Sequence, residues 1–182
     1  MNQIANYTVA SVKKIRGHDG YGYSCNLMHN GKKVAEILED GWGGGLQFRW
    51  LDKVQATVHT LNYKDENHSF EGTAEESLFY GEVMKLPKID SFDGKKMNTS
   101  ADIVIDDMVN DSLAVKKITA DLKKNLTIQA KDGALLTWKI SATHSMASLK
   151  IHALKKHPEA KIINDLPMEQ VFNIYKQANL IS

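Results

Sequence analysis

Apolar and polar positions alternate with a period of two along Tyr21–Leu27, where Tyr21, Tyr23, Cys25 and Leu27 interleave with Gly22, Ser24 and Asn26. That is the pattern of a half-buried strand. Asn30-Gly31 follows, and both residues tolerate the positive φ of a type I′ turn. A two-residue loop there pairs His29 with Lys32, Leu27 with Val34, Cys25 with Glu36 and Tyr23 with Leu38, so Glu36 alone interrupts an apolar face. Residues 7–16, rich in β-branched side chains, predict a strand before this hairpin. Leu46, Phe48 and Trp50 alternate with Gln47 and Arg49 and predict a fourth strand, after a turn through Asp40-Gly41-Trp42-Gly43. Such a sheet needs a helix on its apolar face.

Beyond it the period lengthens. Val54, Val58 and Leu61 lie at helical spacing, which predicts a short helix over 52–63. Thr73-Ala74-Glu75-Glu76 matches a capping box, so a helix is expected from Ala74 to about Lys85, stopping before Pro87. Ser91–Ser100 reads as an exposed loop and as the boundary between two halves, residues 1–90 and 101–182. Ser100 then caps a long helix to about Lys124, with Ile105, Met108, Val115, Ile118 and Leu122 on one stripe. Leu126–Ala130 and Leu135–Ile140 flank Asp132-Gly133, a second hairpin signal. A helix from Ser145 to about Lys156 stops ahead of Pro158, a short strand follows at Lys161–Asn164, and Pro167 opens a last helix with Val171, Ile174 and Tyr175 inward. The fold expected is α+β: an N-terminal antiparallel β-meander packed with helices, then a C-terminal β-hairpin plus helices.

Composition changes this picture little. An apolar share of 42% across 182 residues supports a core without staples. One cysteine, Cys25, excludes an internal disulfide and suggests a reducing compartment. No apolar run approaches the ~20 residues of a membrane span, and no signal segment is apparent, so a cytoplasmic protein without membrane contact is expected. Charge is more telling. Residues 64–111 hold twelve acidic and five basic side chains, whereas residues 112–182 hold five acidic and eleven basic ones. Such asymmetry suggests charged binding surfaces, or solvated faces that offset each other.

Catalytic patterns are missing. The seven histidines include no metal-binding spacing, and Cys25, mid-strand on a buried face, has no adjacent base. Gly43-Gly44-Gly45 leads into a strand rather than into the Gly-Lys-Ser/Thr and helix of a phosphate loop. Without nucleophile, base and electrophilic stabiliser, no enzyme, cofactor or small-molecule substrate is expected. Asp102, Asp106, Asp107 and Asp111 repeat along the long helix, two pairs at i, i+4, where like charges are unfavourable. They read as a mimic of nucleic-acid phosphates, as part of a cation site, or as a solvated face. With Glu75 and Glu76 they are the candidate partner-binding acids. Lys32, Lys33, Arg49, Lys155 and Lys156 are candidate contacts to RNA or DNA, joined on the N-terminal sheet by Lys13, Lys14 and Arg16. Tyr23, Phe48 and Trp50 fall on the inward face.

Three pieces of this stretch recur together: Asp19-Gly20-Tyr21-Gly22-Tyr23, then Asn30-Gly31-Lys32-Lys33-Val34-Ala35, then Asp40-Gly41 with Gly43-Gly44. The segment resembles a module of small phage and mobile-element proteins, in which these pieces form a β-meander. A chain of this length with this opening also resembles anti-CRISPR inhibitors of type II effector nucleases, the RNA-guided DNA endonucleases. The resemblance implies a bacterial cytoplasm as the setting and a type II nuclease, with or without its guide RNA, as the partner. It implies inhibition by blocking DNA binding or by interfering with guide RNA. A phage nucleic-acid-binding accessory protein is the alternative.

Overall fold

A computed structural model describes residues 4–17 and 20–181; Asp19 of the first motif lies outside the described residues. The fold is α+β, and the chain forms two compact units, Asn2–Ser112 and Leu113–Ser182. Ser91–Ser100 therefore lies within the first.

In the N-terminal unit, β1 (Tyr7–Arg16), β2 (Tyr21–His29), β3 (Lys32–Glu39) and β4 (Gln47–Trp50) form an antiparallel sheet in that order. The β2–β3 turn is as expected, with Asn30 at φ 50° and Gly31 at φ 76°. The register is not. His29 pairs with Lys32 and Met28 with Lys33, but Leu27 then pairs with Ala35, leaving Val34 as the extra residue of a β-bulge. Everything beyond slips by one: Cys25 meets Ile37, Tyr23 meets Glu39, and Glu36 meets Asn26. The bulge turns Glu36 away from the core and sends Ala35 (0% exposed) and Ile37 (2%) into it.

The segment expected as a helix over 52–63 is instead β5 (Gln55–Leu61), paired throughout with β6 (Asn67–Thr73). Ala56, Val58 and Thr60 alternate inward while their neighbours are exposed. Pairing with β6 satisfies the backbone and overrides the three apolar positions at helical spacing. Asn62 closes the hairpin, its Oδ1 accepting from the backbone of Lys64 (2.7 Å) and Glu66 (3.1 Å). Helix α1 (Ala74–Val83) follows, and its capping box is complete: Thr73 Oγ1 accepts from Glu76 N, and Glu76 Oε2 from Thr73 N. Fully buried Phe79 fixes α1 to the sheet, edge-on to Tyr7 at 5.1 Å and 5.8 Å from Trp50. A short ladder of β7 (Ile89–Asp90) and β8 (Lys96–Met97) occupies the segment read as loop.

Helix α2 (Ala101–Lys124) starts at Ser100, whose Oγ accepts from Ile103 N at 3.4 Å. In the C-terminal unit, β9 (Asn125–Gln129) lies between β10 (Leu135–Lys139) and β11 (Lys161–Ile162). Helices α3 (Met146–Lys156), capped by Ser145, and α4 (Met168–Gln177), led by Pro167, complete it. Ile118, Ile163, Val171, Phe172 and Tyr175 form one buried cluster; Leu126, Ile128, Leu149 and Ala153 form another.

Candidate interaction surfaces of the N-terminal unit

Glu75 and Glu76 are committed inside the fold. Glu76 completes the cap of α1. Glu75 Oε1 accepts the Tyr7 hydroxyl at 2.7 Å and lies 2.6 Å from His29 Nδ1, while the His29 ring stacks on Tyr7 at 4.2 Å. The Glu75 side chain is only 17% exposed, so neither glutamate is displayed to a partner. Burial, reinforced by Glu75, pushes the Tyr7 phenol well above its ordinary value.

The four aspartates of α2 do not act as one stripe. Asp102 and Asp106 border a pocket of about 440 Å³ with Tyr21, Tyr23, Glu39, Asn110 and the Gly44–Leu46 loop. Tyr23 donates its hydroxyl to Asp106 Oδ1 at 2.5 Å. Burial chiefly, then the neighbouring Asp106, pushes the Asp102 carboxyl up, opposed by a hydrogen bond from the Leu46 backbone. Asp107 is exposed beside a separate recess lined by Ile103, Pro87 and Met108. Asp111 is 7% exposed and leaves the surface altogether. Asp102, Asp106 and Asp107 are the exposed acids of the helix; half-buried Glu39, whose Oε1 accepts from Gly41 N at 3.0 Å, shares the pocket of the first two, and Tyr21 (78% exposed) stands beside them. Carboxylates grouped around an aromatic ring suit cationic side chains. Among the described residues no three His, Cys, Asp or Glu converge to hold a metal ion.

The opposite face of the β1–β4 sheet carries a second surface, a cavity of about 640 Å³ lined wholly by strand residues. Glu36 stands in it and accepts from Arg49 (Nε at 2.9 Å, and Nη2) and from Lys33 Nζ. These two cations hold its carboxyl down to about 2. Lys13, Ser11, Ser24, Asn26 and Gln47 line the remainder. Lys32 is exposed at the β2–β3 turn; Lys155 and Lys156 are exposed at the end of α3, in the C-terminal unit. Charge pattern alone picks out Lys33 and Arg49, but not Glu36 between them, because the unbulged register aims Glu36 at Cys25.

Cys25 is 4% exposed, and burial pushes its thiol up to about 12, the environment of an inert packing residue. Phe48 and Trp50 stack at 5.7 Å on the helix-covered face, as expected. The motif glycine Gly22 and the preceding Gly17 are steric necessities. A Cβ on Gly22 would lie 2.1 Å from the Glu39 carbonyl oxygen, and one on Gly17 would lie 2.5 Å from Gly41 Cα. No described helix is long and apolar enough to cross a membrane. A scan against protein-family models found no match, and searches of curated proteins and of solved structures found none either.

Proposed function

We propose that this chain is a phage- or mobile-element-encoded inhibitor that works by binding a type II RNA-guided DNA endonuclease, without catalysis of its own. The observation that carries the reading is the acidic, aromatic-edged surface of Glu39, Asp102 and Asp106 around Tyr21, with exposed Asp107 next in sequence to Asp106 beside a neighbouring recess. Nucleases of this class hold guide RNA and target DNA in positively charged channels and read a short flanking motif with arginines. Carboxylates fixed on a sheet edge and a helix occupy such a surface as phosphates do, and a tyrosine face accepts an arginine. The resemblance of Asp19–Tyr23, Asn30–Ala35 and Asp40-Gly41 with Gly43-Gly44 to a module of small phage and mobile-element proteins, and of a chain of this length with this opening to anti-CRISPR inhibitors, supports the same class. Buried Asp111 and the largely covered Glu75 are the least accessible of the candidate acids, so the surface is assigned without them.

Size-exclusion co-elution with a type II nuclease, with and without guide RNA, and a parallel DNA-cleavage assay test this. A 1:1 complex and lost cleavage are expected, together with a rise of at least about tenfold in the inhibitory concentration of the Asp102→Asn/Asp106→Asn/Asp107→Asn variant, since each close interfacial charge contributes on the order of 1 kcal/mol or more. Full cleavage across several such nucleases, with no complex, overturns the proposal.

A further inference from the structure

The uncovered face of the β1–β4 sheet has an organisation independent of the acidic edge. Strand register arranges its side chains in two transverse rows. Ala10, Asn26, Glu36 and Arg49 form one; Lys13, Ser24, Leu38 and Gln47 form the next. With strands ~4.8 Å apart, each row spans about 14 Å. The cations Lys13 and Arg49 stand on the two outer strands, with neutral hydrogen-bonding groups from Ser24, Asn26 and Gln47 between them. The single carboxylate in the cavity, Glu36, is seated on Arg49 and Lys33. An anion is therefore already bound where the cradle's cations converge, and it is supplied by the chain itself.

We infer that this face binds single-stranded nucleic acid along its phosphate backbone, with Lys13, Lys33 and Arg49 as the phosphate contacts and Glu36 as an internal competitor for two of them. Charge complementarity selects a polyanion: Lys13 and Arg49 line the cradle and Lys33 reaches its one carboxylate, Glu36, which pairs with Arg49 and Lys33 but not with Lys13. The strand-lined floor, without a protruding helix or ribbon, selects a single strand over entry into a duplex groove. No aromatic side chain stands in the two rows, so base stacking is not available. Binding is thus sequence-tolerant and strongly salt-dependent.

Fluorescence anisotropy of a labelled mixed-sequence single strand of ~20 nucleotides, DNA and RNA in separate titrations against the full chain, tests the inference. Binding tighter than about 100 µM at low salt is expected, since cation-only contacts reach that range. Lys13→Ala/Arg49→Ala should weaken it and lower the slope of log affinity against log salt by about 1.4, the share of two phosphate contacts on a single strand. Glu36→Gln should tighten it by about three- to tenfold, because two cations lose their internal partner. That gain cannot come from misfolding, and circular dichroism of each variant checks the losses. Binding too weak to detect, a Glu36→Gln variant no tighter than wild type, or an effect confined to Lys155→Ala/Lys156→Ala overturns the assignment. So does equal binding of duplex DNA or of polyglutamate. Because no nuclease is present, none of these results depends on the inhibitor reading.

Discussion

The Tyr23 hydroxyl donates to Asp106 Oδ1 across 2.5 Å, joining β2 to α2 although 83 residues separate them. It is a neutral donor on a carboxylate that also has Asp102 one turn away. Tyr23→Phe removes the donor and leaves a part-buried carboxylate under-solvated. A loss of about 1–2 kcal/mol in urea unfolding is expected, in the range of hydrogen bonds to charged groups. Little change would mean that water replaces the hydroxyl.

Asp102 carries the opposite sign. Its folded-state carboxyl is pushed up by burial and by Asp106, so ionisation opposes folding. That penalty is absent at low pH, where Asp102 is protonated in both states, and grows as pH rises through the carboxylate range. Asp102→Asn should therefore raise the urea midpoint at neutral pH, with the difference shrinking below about pH 4. Asp106→Asn, which weakens the Tyr23 contact, should lower it. The two neighbours move stability in opposite directions.

Gly22 and Gly44 form a matched steric pair. An added Cβ meets backbone at 2.1 Å on Gly22, whereas nothing lies within 4 Å of one on Gly44. Gly22→Ala should cost about 2–3 kcal/mol through forced backbone movement. Gly44→Ala should stay within about 0.5 kcal/mol of wild type in thermal unfolding.

In the C-terminal unit Asn164 serves three backbone groups: Nδ2 donates to the Leu122 (2.9 Å) and Asn125 (2.8 Å) carbonyls, and Oδ1 accepts from Thr127 N (2.8 Å). Asn164→Ala orphans all three. The expected loss is about 2–4 kcal/mol, with faster amide exchange at Thr127. Asn164→Asp, which keeps the acceptor, should retain protection at Thr127 while losing both donations.

What was legible in the sequence is what local chemistry decides. Asn30-Gly31 and Asp132-Gly133 turn as their residue types allow, with positive φ at Asn30, Gly31 and Gly133. Thr73 with Glu76, Ser100 and Ser145 cap the helices they precede. What was not legible depends on distant partners. β5 read as a helix because β6, Asn67–Thr73, is mostly polar and announces no strand to pair with it. The Val34 bulge leaves no mark in the alternation, so Glu36 was placed on the wrong face. Among the candidate site residues, charge pattern singles out Lys33, Arg49, Asp102, Asp106 and Asp107, which lie on the surface. It carries no sign of the contacts of Glu75, whose partners Tyr7 and His29 lie 68 and 46 residues away, or of the burial of Asp111.

Two of the glycines that make the opening stretch recognisable lie where backbones touch: Gly22 against the Glu39 carbonyl, and Gly41 against Gly17. A side chain at either position would collide with backbone, so this corner requires them whatever the chain binds. The ring of Tyr21 and the carboxylates of Glu39 and Asp102 beside that corner are under no such constraint. The corner is a fixed mount and its rim the changeable part, so substitutions at those rim positions are expected to alter binding while leaving the corner intact.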